Sequence, residues 1–298
     1  MKTEKWFENY IALLKEGKTE EAMQNKKAIL PTSLFKYCPL DKNSLECLFN
    51  NSIFMAPADI KNDPFECTSK YEDSVMTQKF FRAPEFQEIF KAEFNSDISI
   101  NEIDVIQNST SPEKKFHEIC VTKGIKRNFK DVIKRRIDLV NSEIKEFMRS
   151  TFFSSFSEIN DSTLMWSHYS EKHKGICIDY DFSNDDKIIQ FLEPVYYTEQ
   201  RNSVTDAFGF DKKKNTFRIA AFTKAKDWEY EKEWRIVFPH NKKGHYKVPK
   251  PKAIYLGTRF DENKVEFKEY LLNLTKILNI PLYKMKLHDT EYKIIKDE

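Results

Sequence analysis

Glycine is scarce in this chain: Gly17, Gly124, Gly175, Gly209, Gly244 and Gly257 are the only six among 298 residues, and no two are closer than 13. Backbone amides approach a phosphate closely only where glycines cluster. This spacing therefore excludes a G-x-G-x-x-G dinucleotide turn and a P-loop. A G-x-S-x-G nucleophile elbow is excluded for the same reason. The core must instead be built from aromatics, which are plentiful at 25 Phe, 13 Tyr and 4 Trp; these are residues that fold by being buried. With 49 basic and 47 acidic residues the net charge is only +2, which argues against a surface made to coat nucleic acid.

No apolar run reaches the ~18 residues a membrane helix needs, and the opening MKTEKWFENY has no apolar leader core. The five cysteines, Cys38, Cys47, Cys67, Cys120 and Cys177, are odd in number and show no C-x-x-C pair. They read as free, mostly buried thiols in a reducing, cytoplasmic setting rather than as a zinc site.

Periodicity predicts an α+β fold with a mixed, mostly antiparallel sheet, organised as one domain over 1–298. Two N-terminal helices are expected within 1–30, carried by Trp6, Tyr10, Leu13 and Leu14 and broken at Gly17. Strands are expected at LFKYC (34–38), SIFMA (52–56), TFFSSFS (151–157), GICIDYD (175–181), PVYYT (194–198), EWRIVF (233–238) and KAIYLG (252–257), with PLYKMKL (281–287) closing the sheet. Asp41, and either Asp161 or Ser162, are candidate helix caps. A helical insertion is expected over 72–150. Its clearest helix runs from about 129 to 148 on Ile133, Ile137, Val140, Ile144 and Phe147, and 95–112 reads as loop. A last amphipathic helix is expected over 262–279.

Four polar-aromatic clusters are candidates for chemistry: Lys36-Tyr37, Asn62-Asp63-Pro64-Phe65-Glu66, Trp166-Ser167-His168-Tyr169, and Trp228-Glu229-Tyr230-Glu231-Lys232-Glu233-Trp234-Arg235. Read as a strand, the last puts Glu229, Glu231, Glu233 and Arg235 on one face. Carboxylates crowded together repel one another unless a cation, a proton or a substrate hydroxyl sits among them. Arg235 suits one such pairing, and the other carboxylates become candidates for a raised pKa or for substrate contact.

Together, Phe35-Lys36-Tyr37, the Asn62–Glu66 turn, Leu164-Met165-Trp166-Ser167-His168-Tyr169, His173-Lys174-Gly175-Ile176-Cys177-Ile178 and Tyr230-Glu231-Lys232-Glu233-Trp234-Arg235 resemble the bacterial DUF2971 family, over about residues 34–257. That family brings no established activity with it. A more distant resemblance is to ADP-ribosyltransferases, whose sites run from a basic residue or His in a first strand, through a Ser- or Tyr-bearing element, to a late Glu, often as Glu-x-Glu. Lys36-Tyr37, Ser154-Ser155-x-Ser157 and Glu231-x-Glu233 follow that order, with Lys36 standing where such enzymes have Arg or His.

The second resemblance implies NAD as a substrate, rather than a bound cofactor, and cleavage of its nicotinamide–ribose bond through an oxocarbenium-like state. One of Glu231 and Glu233 would stabilise the positive charge and the other would orient or deprotonate the acceptor; either assignment fits the sequence. The catalytic candidates are thus Glu231, Glu233, His168 and Tyr169. The substrate-contact candidates are Lys36, Tyr37, Asn62, Asp63, Glu66, Ser155, Trp166 and Arg235. Expected partners are a small nucleotide or a protein substrate, with no membrane and no nucleic acid.

Two alternatives use the same residues. In a metal-dependent nuclease or phosphodiesterase, Asp63, Glu66, Glu231, Glu233 and His168 would hold Mg²⁺ or Mn²⁺, with Lys224 or Lys226 on phosphate. In a non-catalytic module they would bind a nucleotide or a protein in a defence or stress system.

Overall fold

A computed structural model describes residues 4–57, 63, 80–126, 149–200, 221–239 and 244–297, together with positions 131, 132, 134, 135, 138, 139, 142 and 146. The elements run in chain order α1 (Glu4–Lys15), α2 (Thr19–Lys27), β1 (Leu34–Cys38), α3 (Lys42–Phe49), β2 (Ser52–Pro57), α4 (Phe86–Phe94), α5 (Ile100–Gln107), α6 (Pro112–Thr122) and β3 (Thr151–Ser157). They continue with α7 (Thr163–Tyr169), β4 (Ile176–Tyr180), α8 (Asp186–Ile189), β5 (Leu192–Pro194), β6 (Tyr196–Thr198), β7 (Thr223–Ala225), a 3₁₀ turn (Lys226–Glu231) and β8 (Glu233–Pro239). The last are β9 (Gly244–Lys247), β10 (Ala253–Leu256), α9 (Val265–Leu278), β11 (Leu282–Leu287) and β12 (Ile294–Lys296). This is the expected α+β class. Among the described residues, β10 and β11 are the one parallel pair of the main sheet, and the separate β6–β7 ribbon is parallel too.

The chain divides into two compact units. One comprises Met1–Glu66, Arg149–Glu199 and Ala221–Glu298; the other comprises Cys67–Met148 and Gln200–Ala220. The first unit holds the sheet, in the order β12-β11-β10-β4-β1-β3-β2-β9, with β8 paired to β3 and β5. Alternation sets its two faces. Ile176, Ile178 and Tyr180 of β4 join Leu34, Phe152, Phe156, Trp234, Ile236 and Phe238 in the main core. Phe35, Tyr37 and Cys177 meet Met165 and Trp166 on the opposite side. The cap at Asp41 forms as expected, in a reciprocal box with Ser44, and of Asp161 and Ser162 it is Ser162 that caps α7. β11 does not close the sheet, because β12 pairs outside it.

The arrangement around β3 positions the site. All seven residues of β3 pair with β8 along one side. Its other side is shared: among the described residues, β1 meets it at Phe35↔Ser157, and β2 at Ala56↔Phe153 and Pro57↔Phe152. β1 and β2 are linked through α3, and between these two contacts the sheet is split.

The second unit packs Phe80, Phe81, Phe86, Phe90 and Phe116 into one cluster, mostly by edge-on and tilted ring contacts. Here one expectation fails. The stretch 95–112, read as loop, contains α5. Its start is a capping box in which Ser99 accepts from the Glu102 amide and Glu102 accepts from the Ser99 amide. That Ser-x-x-Glu signal stands in the sequence but is hidden by the polar residues around it. The five apolar positions that predicted a helix over 129–148 lie outside the described residues.

Candidate functional site

At the split lies a cavity of about 350 Å³, bounded by β1, β2, β3, α7, β7 and the 3₁₀ turn, with Asp63 also on its wall. It falls wholly within the first unit. Its aromatic surface comes from Tyr37, Phe54, Phe156, Tyr169 and Trp228, and its charged groups are Lys36, Lys224, Glu231, Glu233 and Asp63.

The approach to β8 differs from the expected strand. Residues 226–231 wind as a 3₁₀ turn. Glu229 is carried outward, where it pairs with Lys226 at 2.8 Å in solvent, and so leaves the predicted face. Lys232 then adopts a left-handed conformation at φ 44°, which ends the turn and starts β8. Glu231 and Glu233 still reach the same cavity, but through this kink and not through simple alternation.

The Ser-x-Ser stretch of β3 supports both carboxylate positions. Ser157 Oγ donates to the Glu231 carbonyl at 2.7 Å, and the Ser155 hydroxyl bonds the Glu233 carboxylate. The Glu233 amide donates to Tyr197 Oη at 2.8 Å. Arg235 grips Glu233 with two parallel bonds, Nε to Oε1 at 2.7 Å and Nη2 to Oε2 at 2.8 Å. It donates a third to the Ala221 carbonyl at 2.7 Å, and its guanidinium lies 4.6 Å from the centre of the Phe153 ring. Lys224 bridges the two carboxylates, bonding Glu231 and, at 3.2 Å, Glu233, with Trp228 4.8 Å from its ammonium. Tyr169 Oη donates to Glu231 Oε1 at 2.5 Å.

These surroundings separate the two acids. Burial pushes Glu233 up, but Arg235 and Lys224 outweigh it and hold the carboxyl well below the usual range. Burial and the neighbouring Glu233 charge raise Glu231 above its ordinary value, against the pull of Lys224 and Tyr169. Tyr169 is itself raised, first by burial and then by the Glu231 charge.

The charged row continues from β8 to β5. Glu193 stands opposite Arg235 in register, fully buried, and accepts from Tyr10 of α1 and from Lys26 of α2, the latter at 3.2 Å. From α2 to the cavity the signs therefore alternate: Lys26, Glu193, Arg235, Glu233, Lys224, Glu231.

Of the residues singled out from sequence, Lys36, Tyr37, Asp63, Ser155, Tyr169, Glu231 and Glu233 line the cavity. Arg235 is buried behind it as the partner of Glu233. Trp166 is buried beneath it, donating to the Asn160 carbonyl at 2.7 Å and standing edge-on to Tyr37. His168 is exposed and packs edgewise on Tyr169. Asn62 and Glu66 lie outside the described residues. Sequence reasoning passed over Phe54, Tyr197 and the bridging role of Lys224: β2 and β6 are far from β8 in sequence, and Lys224, though only seven residues before Glu231, is turned back onto it by the 3₁₀ turn that sequence did not show. Among the described residues, no three His, Cys, Asp or Glu side chains gather as a cation cage, and no helix is long and apolar enough to cross a membrane.

No curated protein and no solved structure matches the chain. Residues 165–236 run from α7 through β4 to β8 and carry Tyr169, Glu231, Glu233 and Arg235; this stretch matches the family described as "Protein of unknown function (DUF2971)".

Proposed function

We propose that the cavity binds a nucleotide and cleaves the N-glycosidic bond of its ribose, with NAD as the substrate and transfer of ADP-ribose to an acceptor as the outcome. The observation that carries this reading is the meeting, at one split in the sheet, of Lys36 from β1, Ser155 from β3 and the Glu231-x-Glu233 pair ahead of β8 around a cavity of about 350 Å³. A space of that size suits part of a nucleotide, and its aromatic walls suit a flat ring.

The two carboxylates divide the work. Glu233 stays ionised over the working pH range and supplies fixed negative charge toward the cationic sugar carbon. Glu231, with its raised affinity for protons, accepts the proton of the attacking acceptor. Tyr169 and Lys224 hold Glu231 in place. The carboxylate oxygens of this pair already accept from Lys224, Arg235 and Tyr169. That favours placed charge and proton transfer over metal ligation.

The test is proton NMR of the protein with NAD⁺, following nicotinamide release. Release by the wild type, lost in Glu231→Gln, is the expected result. No release, even with cell lysate supplied as acceptor, overturns the reading.

A further inference from the structure

The cations around the cavity are not treated alike. Lys224 and Arg235 are met by Glu231 and Glu233. Lys36 donates only to neutral oxygens, Ser154 Oγ at 2.7 Å and the Ser155 carbonyl at 3.3 Å, with the Phe156 ring 5.2 Å from its nitrogen. Among the described residues no carboxylate pairs with it, and it lines the cavity. Lys224, Glu231 and Asp63 share the cavity with it, and the titratable groups that act on it most are Cys38 on its own strand, Cys47 on α3 and Glu233 on β8. Burial is the largest influence and draws Lys36 below the ordinary lysine range, while these three groups pull weakly the other way. Lys36 is half-buried; a partly desolvated ammonium with no carboxylate at hydrogen-bond distance sheds its proton more readily than an exposed one, and the free amine is a nucleophile.

We propose that Lys36 is a reactive amine that captures a small aldehyde or ketone in this cavity as an imine. The nitrogen lone pair forms the new C–N bond, and the carbonyl π pair moves to oxygen, which takes up a proton. The carbinolamine then loses water to give the C=N bond. The Ser154 hydroxyl, already hydrogen-bonded to the nitrogen, is placed to relay that proton. No oxidant or reductant is consumed. The proposal does not depend on glycosidic cleavage.

The test uses the full chain with glyceraldehyde as probe and sodium cyanoborohydride to reduce and trap the imine. Adducts are located by peptide mass mapping. At about pH 7, Lys36 is expected to be trapped more than about tenfold faster than the exposed Lys250, and the ratio to shrink as the pH approaches that of ordinary lysines. Ser154→Ala is expected to slow trapping at Lys36 and to leave Lys250 unchanged. A Lys36 rate equal to or below that of Lys250 overturns the proposal. Nicotinamide release, measured separately, is unaffected by either result, so failure of one reading is distinguishable from failure of the other.

Discussion

Glu233 is 3 % exposed and lies between two cations. Replacing it by Gln keeps the shape but leaves Arg235 and Lys224 without this anion. Breaking a buried pair in this way costs about 3–5 kcal/mol, so Glu233→Gln is expected to lower the urea midpoint of unfolding sharply. The pH dependence carries a sign. The folded-state pKa of Glu233 is depressed, so its contribution is present above the ordinary glutamate value of 4.5 and is lost as the pH falls below it. Glu231 is raised and acts in the opposite sense, favouring the folded state toward acid and opposing it toward neutrality. Urea titrations between about pH 3 and pH 6 should show stability falling toward acid, and the fall should be shallower in Glu233→Gln. A slope unchanged by the substitution would mean that other carboxylates govern it. Much at this scale was legible: Glu231, Glu233, Tyr169 and Ser155 stand out as residue types, and Arg235 invites a carboxylate. The opposite pull on the protons of the two acids was not legible, since it depends on how burial, Lys224 and Tyr169 are arranged around them.

Short patterns gave most of the elements. Apolar and aromatic runs placed β1, β3, β4 and β8, with clear alternation in β4, and the caps at Asp41 and at Asp161 or Ser162 marked helix starts. Two misreadings have physical causes. Strict alternation through 229–235 overlooked the 3₁₀ turn, whose left-handed end falls on Lys232, a residue type that gives no warning of it. The polarity of 95–112 masked the Ser99–Glu102 box. At the start of β4, sequence offers Gly175 as a simple strand boundary, but packing gives a stronger reason for glycine there. A Cβ on Gly175 would collide with the Cys38 carbonyl oxygen, which is backbone and has little room to shift. Gly175→Ala is therefore expected to destabilise the protein by about 1–3 kcal/mol, read as a lower melting temperature; an unchanged melting point would show that β1 and β4 part easily at this end.

On the scale of the first unit, residues far apart in sequence are joined by buried charge. Lys26 and Glu193 are 167 positions apart, and both side chains are fully buried. Their contact ties the N-terminal helices to the strand beside β8. Lys26→Met removes the ammonium from Glu193 and is expected to cost about 3 kcal/mol or more. The loss should appear in the same unfolding transition that reports on the sheet, followed by Trp234 fluorescence in a variant lacking the other three tryptophans. A separate early transition would show that the helices come away on their own. Sequence gave the helices but not this anchorage, because a lysine in TEEAMQNKK reads as solvated.

The shared strand β3 also has a mechanical meaning. Its ladder with β8 runs its whole length, whereas among the described residues its grip on β1 is a single pair and on β2 two. Load drawn along β3 would be borne by many bonds in shear on one flank and by a few bonds, parted one after another, on the other. The sheet thus has a strong seam and a weak one on opposite edges of one strand, and the weak seam is the one that opens on the cavity.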